Sequence, residues 1–135
     1  MRWNKRERSF VEAARVARVA TVDEKGDPHN VPICPLMDGE RIYFATQARA
    51  QKVRNLSVHP KVAITFDDYA EAWEYLRGVL VVGDARVVNS SEFRRLRKKL
   101  YRKFLAYEET APLEEGESLI VEILPRRKTS WGFDS

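Results

Sequence analysis

The sequence has little of what defines several large classes of protein. Its 135 residues include one cysteine, Cys34, and two histidines, which exclude an internal disulfide framework and do not make a convincing zinc site. No apolar run approaches the roughly 20 residues of a membrane-spanning helix, and the first ten residues lack the apolar core of a signal peptide. A single cysteine fits a reducing compartment, so we expect a cytoplasmic protein.

Signatures of several catalytic classes are missing as well. The chain has no glycine-rich phosphate loop and no nucleophile elbow. Asp67 and Asp68 are neighbours at an expected strand end, where adjacent side chains point to opposite faces, so they make a poor catalytic pair. Cys34 has no partner at a meaningful spacing, which favours a structural thiol over a nucleophile. The sequence therefore indicates no catalytic acid or base.

The chain does contain enough apolar residues for one core. Its composition is 44% hydrophobic and 33% charged, with a net charge of +4, and 135 residues suit a single domain over 1–135. Six apolar segments with strand-like composition are separated by turn residues; they span 18–22, 29–37, 41–46, 61–66, 76–88 and 118–124. Helices are expected from Ser9 to Arg18, over 51–56 and over 90–107.

The order of these elements favours a mainly β protein, a six-stranded antiparallel barrel, because closure removes exposed strand edges. Asp38-Gly39 between two apolar runs predicts a hairpin, and Gly83 predicts a bulge or bend in the fifth strand. Pro32 and Pro35 each delete a backbone donor, which places the second strand at a mouth or split of the barrel.

Two groups of cations need separate interpretations. The helix over 90–107 carries seven of them on its wet face: Arg94, Arg95, Arg97, Lys98, Lys99, Arg102 and Lys103. A nucleic-acid interface would use such charges, but the helix has its own apolar stripe and no recognised binding motif, so a solvated face is the favoured interpretation.

The second group is in the stretch FATQARAQKVRNL, which contains Arg49, Lys52 and Arg54. These cations follow a strand and open a short helix, where backbone amides and positive side chains together bind anions. Thr46 and Gln47 add neutral donors at the end of the strand. A phosphate site and a plain solvated helix face both explain this pattern. Near the C-terminus, Trp131 and Phe133 indicate a tail that docks onto the barrel, a partner or a ligand.

Four segments carry a resemblance to a known family: VATVDEKGDPHNVPI, DGERIYFATQARAQKVRNLSVHPKVAITF, GVLVVGDARVV and VEILPRRKTSWGF. Together they resemble the pyridoxamine 5'-phosphate oxidase-like FMN-binding split barrels, in particular their short members that use a flavin or a deazaflavin. The resemblance implies a homodimer with two cofactor sites at the subunit interface. It also implies a flavin-dependent oxidoreductase.

The resemblance assigns residues to that site. Lys52 matches the phosphate-binding lysine of the family and Thr46 the hydroxyl residue at the strand end; Arg49 and Arg54 are further candidates for the phosphate. Other matched residues border the flavin ring: Val31, Pro32 and Ile33 from the second strand, Gly78 and Val79 from the other subunit, and Trp131 as a wall of the pocket.

Departures from the family pattern shape the functional hypotheses. Ala50 and Gln51 replace a small hydroxyl residue and a basic residue, and the arginine and the C-terminal Arg–His segment of the oxidase proper are missing. Oxidation of pyridoxamine phosphate is therefore not expected. The leading hypothesis is an oxidoreductase that uses FMN, or alternatively the deazaflavin coenzyme F-420, on an unidentified small molecule. A flavin- or haem-binding module without turnover and a nucleic-acid-binding module remain the alternatives.

Overall fold

The computed structural model describes residues 1–134, which form seven strands, four α-helices and one 3₁₀ turn. The strands are β1 (Ala17–Val22), β2 (Pro28–Ile33), β3 (Leu36–Asp38), β4 (Arg41–Gln47), β5 (Lys61–Asp68), β6 (Arg77–Val87) and β7 (Ser118–Trp131). The helices are α1 (Lys5–Ala13), α2 (Gln51–Val58), α3 (Ser90–Lys103) and α4 (Ala106–Thr110), and the 3₁₀ turn covers Trp73–Tyr75. None of the described helices is long and apolar enough to cross a membrane.

All seven strands belong to one antiparallel sheet, in the order β2-β1-β5-β6-β7-β4-β3. Its two edges, β2 and β3, are consecutive in the chain and are separated only by Cys34 and Pro35. The edges must therefore come close together, which curls the sheet into a barrel that is split between β2 and β3. The prediction of a mainly β split barrel is confirmed.

The predicted count of six strands was wrong by one. The segment 29–37 was taken as one strand, whereas it forms β2, which pairs with β1, and β3, which pairs with β4. Pro35 lies between the two and has no amide hydrogen to donate to a ladder, so the chain leaves one edge there and joins the other. The prolines thus mark the split, as the sequence predicted.

The predicted tail was also wrong, because β7 runs to Trp131. Its first half pairs with β4 and nearly its whole length pairs with β6. The register shifts between Val82 and Gly83, so the bulge predicted at Gly83 is confirmed. A β-carbon on Gly83 would lie 2.4 Å from the carbonyl oxygen of Leu124, so no larger residue fits there without a shift of the backbone. Phe133 packs against Phe10 of α1 with ring centroids 5.3 Å apart.

The first helix begins earlier than predicted and ends before Arg18. Asn4 caps it: its side chain accepts a hydrogen bond from the amide of Glu7, whose carboxylate accepts one from the amide of Asn4. Burial alone would raise the pKa of Glu7, but hydrogen bonds from Lys128 and Ser130 outweigh burial, and the net pKa is lowered. This buried ion pair ties α1 to β7.

Two apolar clusters stabilise the barrel. The larger fills its interior and includes Phe44, Ile64 and Phe66. The smaller lies outside β3, β4 and β7, where α3 packs the stripe that the sequence predicted: Phe93, Leu96, Leu100 and Phe104. The cations of α3 serve local contacts, since Arg95 and Lys99 both pair with Asp38 and Arg94 pairs with Glu115.

The outward face of β1, β5 and β6 has no such cover. Ala20, Ala63, Thr65, Leu80 and Val82 form adjacent rows on it. They are half-buried, and in the described chain the apolar members of this set are not assigned to either cluster. We call these five residues the bare sheet face.

Candidate functional site

The cationic stretch forms the predicted structure. β4 ends at Gln47, and α2 begins at Gln51 after a short loop and ends before Pro60. Ala50, the N-cap residue, offers no side-chain acceptor, and the Val53 amide donates to the carbonyl oxygen of Ala50, so among residues 1–134 the amides of Gln51 and Lys52 are the first-turn donors left for another group. The helix thus presents free amide donors beside the end of a strand.

Lys52 lies in this first turn, on the same face of α2 as Asn55 and Leu56 one turn later. Asn55 and Leu56 are 2% and 8% exposed, so this face points into the barrel. Lys52 is half-buried, and its Nζ has no hydrogen bond or ion pair within residues 1–134. Desolvation lowers the pKa of Lys52. Partial burial of an unpaired charge is unfavourable, and a bound anion would relieve that cost.

The two arginines of the stretch differ in their contacts. Arg54 folds back, donating from Nη1 to the carbonyl oxygen of Arg49 and from Nη2 to Gln51 Oε1 at 2.5 Å. Arg49 is exposed, and neither guanidinium pairs with a carboxylate in the described part of the chain. The loop is therefore braced by Arg54, while Arg49 is open to solvent.

A buried polar chain holds α2 on the sheet. Asn55 donates from Nδ2 to Thr21 Oγ1 on β1 at 2.9 Å, and Gln51 donates from Nε2 to Asn55 Oδ1 at 2.7 Å. Thr21 and Asn55 are 1% and 2% exposed. Neither residue was predicted from the sequence. Asn55 could have been found there, because it lies on the apolar side of a short helix.

The strand predicted to border the flavin ring, β2, and the strand whose end was predicted to bind the phosphate, β4, both lie along the split. We call the line between them the seam. β2 pairs only with β1, and β4 beyond Tyr43 pairs only with β7. Each strand therefore turns unpaired backbone groups toward the split. Val31 is half-buried, Pro32 is exposed and Ile33 is buried, so a ligand in the seam meets mainly backbone and small apolar groups.

His29 also belongs to this end of the sheet. It is the partner of Thr21 in the β1–β2 ladder, so its side chain points to the same face as the Thr21–Asn55 contact. His29 is half-buried, and its Nδ1 is buried without a hydrogen-bond partner among residues 1–134. It is a second polar group without a partner in the neighbourhood of α2.

A cavity of about 730 Å³ opens beside the same strand end. Thr46, Gln47 and Arg49 line one side, and Tyr107, Leu113 and Ser118 line the other. These last three residues come from α4, the loop before β7 and the first residue of β7. The volume is within the range of small-molecule sites.

Three predicted site residues lie away from Lys52 and Thr46: Gly78, Val79 and Trp131. Trp131 pairs with Gly78, and its indole covers it so closely that a β-carbon on Gly78 would lie 2.1 Å from the ring. Along β7, Trp131 is twelve residues from Leu119, the partner of Thr46, which is up to roughly 40 Å of strand. Within one copy of the chain, Gly78, Val79 and Trp131 therefore do not lie next to Thr46 and Lys52.

Three exposed aromatic side chains extend the neighbourhood of Trp131. Tyr69, Trp73 and Tyr75 lie on the connection from β5 to β6 and are 67%, 73% and 71% exposed. The ion pair between Asp68 and Arg77 closes the base of this connection. Sequence analysis assigned no role to these residues, although large aromatics are unusual in an exposed loop.

An antiparallel barrel that is split between two edge strands is the architecture that the resemblance found in the sequence implied. The family model described as pyridoxamine 5'-phosphate oxidase matches residues 4–127. The chain therefore belongs to the pyridoxamine 5'-phosphate oxidase family, and the resemblance stated from the sequence is confirmed.

Individual relatives agree with this assignment. A 5a,11a-dehydrotetracycline/5a,11a-dehydrooxytetracycline reductase of Streptomyces rimosus is 29% identical over 139 residues, which cover 99% of this chain and 86% of that protein. The fold is shared with an F-420 reductase (TM-score 0.69, 24% identity, 90% of this chain and 94% of that one). It is also shared with the haem storage protein HutZ of Vibrio cholerae (TM-score 0.79, 18% identity, 97% and 94%).

Proposed function

We propose that this protein is a flavin-dependent oxidoreductase that binds FMN, or alternatively coenzyme F-420, through the phosphate of the cofactor. The observation that carries the proposal is Lys52, whose half-buried ammonium has no partner in residues 1–134. A phosphate there would restore the interactions that burial has removed, and charge-assisted hydrogen bonds of this kind are strong. We expect the protein in the cytoplasm, given its single free cysteine.

The neighbouring groups fit the rest of such a cofactor. Thr46 and the first-turn amides of α2 add neutral donors for phosphate oxygens. The backbone of Val31, Pro32 and Ile33 offers a flat edge for the tricyclic ring, and the unpartnered Nδ1 of His29 offers a polar contact. Gln47 and Arg49 would contact the outer part of the cofactor, with Arg54 bracing the loop.

A bound flavin or deazaflavin supplies hydride transfer to or from its ring. The chain contributes position and exclusion of water: Lys52 fixes the phosphate end, the seam fixes the ring edge, and the apolar interior keeps the inner side dry. The similarity to the dehydrotetracycline reductase supports reduction of a small organic molecule as the direction of the reaction. The cavity beside Thr46 and Arg49 is the candidate substrate space.

We further propose that the site is completed by a second copy. The bare sheet face is a largely apolar surface that the described residues leave uncovered, and homodimer interfaces bury surfaces of this composition. An antiparallel, two-fold arrangement of two such faces brings the Trp131 end of one copy to the Lys52 end of the other. Gly78, Val79 and Trp131 would then border the ring held by the partner subunit, which explains why one chain separates the two groups.

The contacts of the cations bear on the choice of cofactor. Coenzyme F-420 has a longer acidic tail than FMN and needs cations beyond the phosphate. Arg126 and Lys128 of β7 pair with Asp84 and Glu7, whereas Arg49 is open to solvent. Raising the salt concentration should therefore weaken the binding of F-420 more than that of FMN, because F-420 makes more screened contacts.

The pKa of Lys52 predicts a pH dependence. Desolvation lowers this pKa below the usual value of 10.5, so the free protein loses the ammonium at a lower pH than an exposed lysine does. Affinity for the phosphate-bearing cofactor should fall as pH rises through the lowered pKa. Titrating FMN and riboflavin between pH 7 and 10 checks this, because riboflavin has no phosphate and should respond little. Parallel responses of the two ligands would contradict the assignment.

The visible absorption spectrum of the purified protein tests the proposed function. We expect a bound flavin or deazaflavin spectrum, either as purified or after addition of FMN or F-420, at about one cofactor per chain, followed by reduction of the cofactor and transfer to an acceptor. A Soret band would instead indicate a haem-binding module. A protein that stays colourless with all of these additions would contradict the proposal.

A further inference from the structure

A chain of polar contacts, buried at its inner end and exposed at its outer end, connects the barrel to the loop that carries the cations. Asn55 lies between Thr21 of β1 and Gln51 of α2, with contacts of 2.9 and 2.7 Å, and Gln51 in turn accepts a hydrogen bond from Arg54. Arg54 reaches the carbonyl oxygen of Arg49. Four consecutive hydrogen bonds therefore run from a strand in the core to the loop between β4 and α2.

The buried contact between Thr21 and Asn55 restricts how α2 can sit on the sheet. Thr21 and Asn55 are 1% and 2% exposed, so a broken contact there cannot be replaced by water at no cost. Apolar residues of the same size would have filled the space without that requirement. The pair therefore specifies one rotation of α2 about its own axis, which apolar packing through Leu56 alone does not fix.

That rotation determines where Lys52 points. Lys52 is three residues before Asn55, on the same face of the helix, and this face points inward. A rotation of α2 by one residue position, about 100°, would turn Lys52 off this inward face and toward solvent. The unfavourable burial of an unpaired Lys52 is thus maintained by the hydrogen bonds of Asn55.

We propose that Thr21 and Asn55 are positioning residues for the phosphate of the cofactor, acting through the orientation of α2, and that Gln51 extends their effect to the loop. The inference rests on the proposed function. It also accounts for Gln51 at a position where the family resemblance leads one to expect a basic residue: its side chain links Asn55 to Arg54 and makes a bracing contact in place of a charge.

The test compares FMN with riboflavin, which differs from it only in the phosphate. In the Thr21→Val protein, which keeps the shape and loses the acceptor, we expect the preference for FMN over riboflavin to fall roughly 3- to 10-fold. Thr21→Ser keeps the hydroxyl and should retain the preference. Riboflavin affinity should be unchanged in both. If the wild type binds neither ligand, F-420 and its phosphate-free chromophore replace them as probes.

A double variant tests whether Thr21 acts through Lys52. In a Lys52→Ala background, Thr21→Val should cause no further loss of preference, because the group that it positions is gone. If Thr21→Val does not fold, Gln51→Met takes its place, since Gln51 is exposed and its loss leaves the core intact.

Each outcome has a definite meaning. Equal losses of FMN and riboflavin affinity in Thr21→Val, or an unchanged preference, would overturn the positioning role while leaving the phosphate site standing. An additive loss in the double variant would also overturn it. A wild-type protein with no preference for either phosphate-bearing cofactor would instead overturn the proposed function, and the inference with it.

Discussion

Replacing Lys52 with alanine is expected to weaken binding of FMN by roughly 10- to 100-fold, the loss that follows when a charged hydrogen-bonding partner is removed. Affinity for riboflavin should stay the same, because the phosphate is the group that Lys52 contacts. The folded protein without cofactor should lose no stability, since the variant removes a half-buried, unpaired ammonium. Fluorescence titration and urea denaturation measure the two effects separately.

Arg102→Ala is the matched control. Arg102 is an exposed cation of α3, so its replacement changes the net charge by the same amount without touching the site. It should leave both affinities unaltered. If Lys52→Ala and Arg102→Ala behave alike, the ammonium of Lys52 does not bind the phosphate.

Charging the bare sheet face is expected to separate the two copies. Leu80→Lys combined with Val82→Lys would bury two ammonium groups per copy against the same surface of a partner, and uncompensated buried charges cost several kcal/mol each. We expect the molecular mass measured by light scattering to fall from that of a dimer to that of a monomer. Cofactor affinity should fall with it, because Gly78, Val79 and Trp131 of the partner are lost.

Leu105→Lys controls for added charge and lost apolar area. Leu105 is 76% exposed and lies between α3 and α4, away from the bare sheet face. This variant should remain a dimer and retain cofactor. A wild-type protein that is monomeric while it holds one cofactor per chain would rule out the shared site.

The sequence allowed the fold to be predicted wherever a local rule and the tertiary structure agree. Pro32 and Pro35 marked the split because a residue without an amide donor suits an edge strand or the gap between two strands: Pro32 lies in the edge strand β2 and Pro35 lies between β2 and β3. The apolar stripe of α3 was also predicted, because its residues recur at helical spacing. The seven-residue error at the end of β7 arose because charged residues on an outward face look like a tail, and only the pairing with β6 shows them to be strand.

The candidate site was predictable in part. Residue type and spacing pointed to Lys52 and its neighbours, yet no pattern in one sequence says that Lys52 is half-buried or that it has no partner. Thr21 was missed since its contact with Asn55 depends on how α2 packs on β1. Asn55 was missed although it lies on the same side of the short helix as the apolar Leu56.

The contact between Trp131 and Gly78 also depends on strand pairing, which the sequence does not show. The sequence singled out both residues, one as an unusual aromatic near the C-terminus and one by resemblance. Only the register of β6 and β7 places the indole directly on the glycine. That contact puts them at the far end of the sheet from Lys52, which is the structural reason for proposing a shared site in a dimer.

The phosphate site is tested most directly by the affinity of the wild-type protein for two matched pairs of ligands: FMN with riboflavin, and F-420 with its phosphate-free chromophore. We expect at least one phosphate-bearing cofactor to bind 10-fold or more tightly than its phosphate-free counterpart, the discrimination expected of a charged contact. Equal affinities within both pairs, or no binding of any of the four, would contradict this expectation.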